Sequence, residues 1–245
     1  MKRALLWAVV PVKSFACAKQ RLMSLLSSQE RAGLARAMFE DVLRVLAHSP
    51  HLAGTIVVTS DADAIAIAHA AGVGVLDDSA NAGLVPAVQL AAQHLACAKR
   101  AGMLVVPADL PLITAADIEL IALAHQVSPS ITLVAASNDG GTNALACSPP
   151  AALPFCFGED SFRRHRDAAL SLGLVPRVLT LPRFGRDIDR PDDLFAFLQH
   201  PSPTRSYAYL TNRGIAQRLR HRQLERTEFT RAEPVALYQK GMTRL

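Results

Sequence analysis

The stretch Gly54-Thr-Ile-Val-Val-Thr-Ser-Asp-Ala-Asp-Ala-Ile-Ala-Ile-Ala-His-Ala-Ala-Gly-Val-Gly-Val-Leu76 places a strand, a helix and a second strand in immediate succession. Gly54–Thr59 is apolar and β-branched, the composition of a strand buried on both faces. Asp61 precedes an alanine-rich segment, where its carboxylate can accept from the first free helix amides. Gly72 ends that segment, and Val73–Leu76 resumes the strand pattern. Elements joined this tightly make a parallel βαβ unit.

The same rhythm runs outward in both directions. Upstream, Leu5–Val10 reads as a buried strand ending at Pro11, and Ser27-Ser28-Gln29-Glu30 as a capping box opening a helix. In that helix Leu34, Met38, Val42, Val45 and Leu46 recur at helical spacing. Downstream, Gly83–Arg100 reads as a helix closed by Gly102, and Met103–Val106 as the next strand. Thr114 caps another helix, Ile131–Ala136 and Ala144–Cys147 are strands, and Ser161–Leu172 is helical. Val175–Leu181 is a strand, and Pro191 opens a last short helix at the position where proline is tolerated. The pattern predicts an α/β domain over residues 1–200: a doubly wound, mostly parallel sheet with helices on both faces. His200-Pro-Ser-Pro203 reads as a linker to a basic, mobile extension over 201–245, with an amphipathic helix around Ile215–Leu224 as the alternative.

Half of the 245 residues are hydrophobic and 19% are charged, enough apolar material for a real core, which excludes wholesale disorder. The net charge of +5 is unevenly placed. Residues 201–245 carry nine Lys or Arg against three acids, so residues 1–200 are close to neutral. The folded part is therefore no basic nucleic-acid binder. The four cysteines form no C-x-x-C pair and read as reduced thiols of a cytoplasmic protein. The opening residues imitate a secretory signal, but Lys13 interrupts the apolar run, which reads equally as a first strand. No segment is apolar enough to predict a membrane span.

Ligands of such sheets gather at the carboxyl ends of the strands, and the polar clusters fall there. Pro11-Val-Lys13, followed by Lys19 and Arg21, sets three cations after the first strand, suited to a polyphosphate or to a solvated basic loop. Asp109 stands between two prolines after an apolar strand, as a metal or cation partner or as a turn aspartate. Asp139-Gly140-Gly141-Thr142-Asn143 allows close backbone approach to a ligand and equally a plain hairpin turn. Gly158 and Ser161 precede a helix, so Ser161 and the helix amides either hold an anion or form an ordinary cap. Asp187-Ile188-Asp189, read as a strand, puts two carboxylates on one face; with Asp109 they make an all-oxygen set suited to Mg²⁺ or Mn²⁺ rather than zinc. Surface solvation of both aspartates is the alternative. Neither a P-loop nor a G-x-G-x-x-G fingerprint is present. Together the clusters point to phosphoryl or nucleotidyl transfer.

Five segments in order carry a resemblance: Pro11-Val-Lys13-x₅-Lys19-Gln-Arg21-Leu, Pro107-Ala-Asp109-Leu-Pro111, Asp139-Gly-Gly-Thr142-Asn-Ala-Leu, Phe157-Gly158-Glu-Asp-Ser161-Phe-Arg-Arg-His165 and Asp187-Ile-Asp189-x-Pro191-Asp-Asp-Leu. Over roughly residues 4–198 the chain resembles the phospholactate guanylyltransferase family, within the nucleotidyltransferases similar to molybdopterin-guanine-dinucleotide synthase. The resemblance implies a nucleotide-diphospho-sugar-transferase-like fold and transfer of GMP from GTP to a small phosphoacid. That acid is 2-phospho-L-lactate, phosphoenolpyruvate or 3-phospho-D-glycerate, and the product leads to the deazaflavin coenzyme F420. It further implies nucleotide binding by Pro11, Lys13, Lys19, Arg21 and Gly83, with Lys13, Lys19 and Asp109 catalytic. Mg²⁺ would be held by Asp109, Asp187 and Asp189, and the phosphoacid by Thr142, Gly158 and Ser161. Two departures stand out: Gln20 replaces a usual serine, and Val85 replaces the asparagine usual after Gly83-Leu84, in the segment assigned to base or ribose. The basic extension has no placed counterpart; covering the active site, joining a second copy in a homodimer, or no role at all are each open to it.

Three rivals remain at this level. A nucleotidyltransferase acting on a molybdenum cofactor or sugar phosphate should carry a glycine-rich L-A-G-G loop after the first strand, which this chain lacks. A glycosyltransferase would use Asp187 and Asp189 for metal but leave the Asp-Gly-Gly-Thr-Asn turn without purpose. A nucleic-acid module acting through the tail would leave the carboxylates without purpose.

Overall fold

The computed structural model describes residues 6–80, 82–125, 128–137 and 140–222. Seven strands, β1 (Leu6–Pro11), β2 (Leu52–Thr59), β3 (Gly74–Asp77), β4 (Gly102–Val105), β5 (Ser130–Ala135), β6 (Thr142–Ser148) and β7 (Arg177–Leu179), form one sheet in the order β3-β2-β1-β4-β6-β5-β7. All pairings are parallel except those of β6, which runs antiparallel to both β4 and β5. The chain leaves β1 toward β2 on one side and enters β4 on the other, so the topological switch falls at β1 and β4.

Helices α1 (Ser28–Ala47), α2 (Ala62–Ala70) and α4 (Ala115–Ala124) bury Phe39, Val42, Ala64, Ala68, Ile118 and Ile121 against one face of the sheet. Helices α3 (Leu84–Cys97) and α5 (Ser161–Ser171) bury Val88, Ala91, Leu95 and Ala169 against the other. The predicted caps form: Ser27 and Glu30 make a reciprocal capping box, and Asp61 accepts from the Ala64 amide. The end of α3 differs from expectation. Lys99, at φ 54, takes the left-handed position; its amide bonds the Ala96 carbonyl while that of Arg100 bonds Leu95. This is a Schellman closure. Gly102 instead begins β4, where a Cβ would sit 2.1 Å from Ser148 Oγ and 2.9 Å from the Cys147 carbonyl.

The expected division at residue 200 does not hold as far as residue 222, where the alternative, a helix around Ile215–Leu224, is the reading the structure supports; residues 223–245 lie outside the described residues. After α6 (Pro191–Gln199), α7 (Arg205–Asn212) and a further helical stretch over residues 215–222 pack against the domain. Leu210, Ile215, Ala216 and Leu219 are buried with Leu34, Met38, Leu194 and Phe197 in a third core cluster. Burying each such Leu or Ile contributes about 1.5–3 kcal/mol, enough to hold a segment the charge pattern marks as a tail. Two specific contacts fix it. Asp41, 2% exposed, accepts from the amides of Arg205 and Ser206 and from Ser206 Oγ at 2.8, 2.9 and 2.6 Å. Tyr209 lies over Gly33, where a Cβ would come 2.2 Å from its hydroxyl. Among the described residues no helix is long and apolar enough to cross a membrane, and the four cysteines are unbridged.

Candidate active site

A cleft of ≈ 560 Å³ opens at the carboxyl ends of β1 and β4, in the size range of small-molecule sites. The chain after β1 enters it through two 3₁₀ turns, Phe15–Cys17 and Gln20–Leu22. The Phe15 amide donates to Asp61 Oδ2 at 3.0 Å, and the Phe15 ring packs on Phe39 with centroids 5.9 Å apart. Asp61 therefore anchors the loop as well as capping α2, a second role that its position before a helix did not signal. Lys19 adopts a left-handed backbone at φ 54, uncommon for a residue with a side chain. From there Nζ reaches Asp109 Oδ2 at 2.6 Å and Asp189 Oδ1 at 3.7 Å, its side chain only 8% exposed. Arg21, far more open, pairs with Asp189 Oδ2. Lys13 is exposed on the cleft wall.

Asp187-Ile188-Asp189 is an extended loop and not a strand. It is held where the carboxylates matter because the Ile188 amide donates to the Asp109 carbonyl at 3.2 Å and its side chain is buried in the third cluster. Asn143 Nδ2 donates to the Phe184 carbonyl at 2.7 Å and to Asp187 Oδ1 at 3.0 Å, tying β6 to this loop. Burial, and then the neighbouring Asp109 carboxylate, raise the Asp187 pKa above the usual carboxylate value. A carboxylate so placed favours a nearby cation. Three carboxylates from two distant segments are thus brought together, but not around one point: the Lys19 ammonium stands against Asp109 and Asp189, and Arg21 takes Asp189. Among the described residues no three His, Cys, Asp or Glu side chains take up a metal-holding arrangement. Asp109 and Asp187 have the hard oxygen donors that fit a divalent cation, but Asp109 is already paired with Lys19 and Asp189 with Lys19 and Arg21, so Asp187 is the one of the three with no ion pair among the described residues.

The opposite wall is the start of β6. Thr142, 6% exposed, accepts from Ser161 Oγ at 3.2 Å and contacts His165 Nδ1 at 3.0 Å. Gly158, at φ 116, and the buried Ser161 lie on the same wall. The Phe162 amide at the start of α5 donates to the Gly140 carbonyl at 2.9 Å, so that helix end docks on the glycine turn instead of standing free for an anion. Asp139 lies outside the described residues. Pro11, Lys13, Lys19, Arg21, Asp109, Thr142, Gly158, Ser161 and Asp187 all line the cleft; Gly83 and Asp189 do not. Gly83 caps α3 at φ 114, and Leu84 beside it lines the cleft, while Val85 packs into the second face. Phe157 and Arg190 also line the cleft, and nothing in their spacing set them apart.

A parallel sheet with one reversed strand, and cations facing carboxylates at its switch point, is the build of a nucleotidyltransferase. Its fold is similar to that of a Desulfovibrio desulfuricans G20 protein assigned to the nucleotide-diphospho-sugar transferases. There the TM-score is 0.71 and the identity 17%, over 87% of this chain and 97% of that one. It is also similar to a 4-diphosphocytidyl-2C-methyl-D-erythritol synthase, with TM-score 0.57 and 13% identity over 80% and 98%. The chain belongs to the guanylyl transferases described as CofC-like, which it matches over residues 6–232. That span runs past residue 200, in keeping with the packing of the C-terminal helices. Among its relatives, a phosphoenolpyruvate guanylyltransferase of Roseiflexus sp. RS-1 is 38% identical over 89% of this chain and 92% of its own. A 3-phospho-D-glycerate guanylyltransferase of Colwellia psychrerythraea is 35% identical over 79% and 92%. A 2-phospho-L-lactate guanylyltransferase of Methanothermobacter thermautotrophicus is 32% identical over 83% and 88%.

Proposed function

We propose that this protein transfers GMP from GTP to a small phosphoacid, namely phosphoenolpyruvate, 3-phospho-D-glycerate or 2-phospho-L-lactate, releasing pyrophosphate, in biosynthesis of the deazaflavin coenzyme F420 in the cytoplasm. The observation that carries this reading is the meeting of Lys19 with Asp109 across the cleft floor, opposite Thr142. Lys13, Lys19 and Arg21 neutralise the triphosphate, with Pro11 and Gly83 shaping the nucleotide side. Thr142 and Gly158 face the phosphoacid on the β6 side, with Ser161 on the same wall donating its hydroxyl to Thr142. Of the carboxylates Asp109, Asp187 and Asp189, Asp187 with Asp109 would hold Mg²⁺, Asp189 being paired with Lys19 and Arg21, and the burial and like charge that raise the Asp187 pKa favour a cation beside it. Bound there, the metal would neutralise charge on the phosphates. The acceptor phosphate, already ionised at neutral pH, attacks the α-phosphorus in line, so the protein supplies position and charge and no nucleophile of its own. The test is pyrophosphate release with Mg²⁺ and GTP, ATP or CTP, offering each acid separately. Release that requires GTP and one acid is expected. Activity only with a sugar phosphate or molybdopterin would overturn the reading.

A further inference from the structure

His165 is completely buried, one turn into α5, and does not itself line the cleft, although it touches two residues that do, Thr142 and Phe157. Its two ring nitrogens are nevertheless both engaged. Nε2 lies 3.0 Å from the backbone amide nitrogen of Cys156, which can only donate, so Nε2 must be the unprotonated nitrogen. In a neutral ring the proton then resides on Nδ1, 3.0 Å from Thr142 Oγ1. The ring is neutral because burial, and then the neighbouring Arg164 charge, push its pKa down to about 4. Thr142 Oγ1 also accepts from Ser161 Oγ at 3.2 Å. A hydroxyl oxygen has two lone pairs and one proton. Both lone pairs are filled by these two donors, and the proton is left for a group in the cleft that Thr142 lines.

We propose that His165 is a positioning residue: by donating Nδ1–H to Thr142 it turns the Thr142 hydroxyl into a fixed donor aimed at an anionic oxygen of the acceptor. The proposal rests on the reading that the phosphoacid lies against Thr142. It assigns the Cys156 amide, which does not line the cleft, the task of choosing the tautomer. The edge of the Phe157 ring, with centroids 4.9 Å apart, holds the imidazole in plane.

Two amide replacements separate this role from simple packing. In His165→Asn the side-chain nitrogen stands where Nδ1 stood and can still donate to Thr142. In His165→Gln the amide reaches the Cys156 side and the donor to Thr142 is lost. Calorimetric titration with phosphoenolpyruvate, 3-phosphoglycerate and 2-phospholactate should show near-unchanged affinity for H165N. Affinity should fall about tenfold for H165Q and for T142V, the size of one lost hydrogen bond to an anion. Adding H165Q to T142V should weaken binding no further, because both remove the same contact. GTP affinity should be unmoved throughout. Additive losses, or the reverse order of the two amides, would overturn the proposal. Nitrogen NMR of histidine-labelled wild-type protein gives a readout free of any substrate: the expected His165 signal is the neutral Nδ1–H tautomer, and an Nε2–H ring would overturn it. Wild-type protein that binds none of the three acids would instead defeat the functional reading, while the ring spectrum would still decide the relay.

Discussion

The ammonium of Lys19 sits 2.6 Å from the carboxylate of Asp109, ninety positions away along the chain. The contact joins the loop after β1 to the loop after β4, the two strands that flank the topological switch. Because the side chain is almost fully withdrawn from solvent, this pair is not one of the exposed ion pairs that contribute little. It sets the spacing between a cationic and an anionic wall before any nucleotide arrives.

Replacing Lys19 by Met should therefore lower turnover by roughly 10²–10³-fold, as loss of a preorganised charge at a transferring phosphoryl group does. Lys13→Met, at an exposed position, should cost less. Pyrophosphate release measured on both variants decides it; equal losses would remove the special place of Lys19.

Asp187→Asn should abolish turnover while leaving the melting temperature unchanged or slightly raised. The wild-type carboxylate is disfavoured by burial and by Asp109, so a neutral side chain of the same shape relieves both penalties. Asn143 keeps a partner in the amide oxygen. Retained Mg²⁺-dependent activity would sink the metal assignment.

Stability should decline as the medium is made mildly acidic. His125 and His165 have pKa values lowered to about 4, principally by burial, against 6.5 in an open chain. His125 is locked between Thr132 Oγ1 and Ser148 Oγ at 3.0 and 2.9 Å. Between those values the unfolded chain binds more protons than the folded one, so their contribution is complete above pH 6.5 and is lost on the way down to 4. Each imidazole should cost up to about 1.4 kcal/mol per pH unit. Urea midpoints at pH 7, 6 and 5 check this, and a flat profile would contradict it.

Gly33→Ala should destabilise the protein by about 1–3 kcal/mol, the range for inserting volume into a packed contact. On helix propensity alone the same change would stabilise by up to about 1 kcal/mol, so the sign in a urea titration is diagnostic of Tyr209 resting on α1. Ending the chain at His200 should have a larger effect, because Leu34 and Met38 would lose the apolar cover of Leu210, Ile215 and Leu219.

The strands and helices of the βαβ rhythm were legible because buried strands and capped helices leave local signatures: Gly54–Thr59 and Ser27 through Glu30 needed no knowledge of the rest. The direction of β6 was not, since an apolar run such as Ala144–Cys147 reads the same either way. After residue 200 the helix around Ile215–Leu224 was legible only as an alternative to a mobile tail, because a few apolar residues among many arginines balance only when α1 is there to receive them. Nor could spacing tell that Asp187 and Asp189 lie on a loop; alternate residues of any extended segment share a face. Nine of the eleven nominated site residues line one cleft, since residue type and strand-end position survive translation into three dimensions. The loop contact of Asp61 and the buried contacts of His165 escaped because they are made with residues distant in sequence, and single positions carry no trace of that.

The one reversed strand has a consequence for how this enzyme type can diversify. Had β6 run with its neighbours, it would present its last residue to the cleft and its first at the far rim, about 20 Å away. Reversed, it arrives at the cleft straight out of a hairpin, with Gly140 and Gly141 immediately ahead of Thr142 and Asn143. On the proposed reading the acceptor wall therefore begins directly after a turn, open to insertion or exchange, whereas the nucleotide wall is bound into the central strand. On that reading evolution can revise what receives the nucleotide while leaving untouched what delivers it.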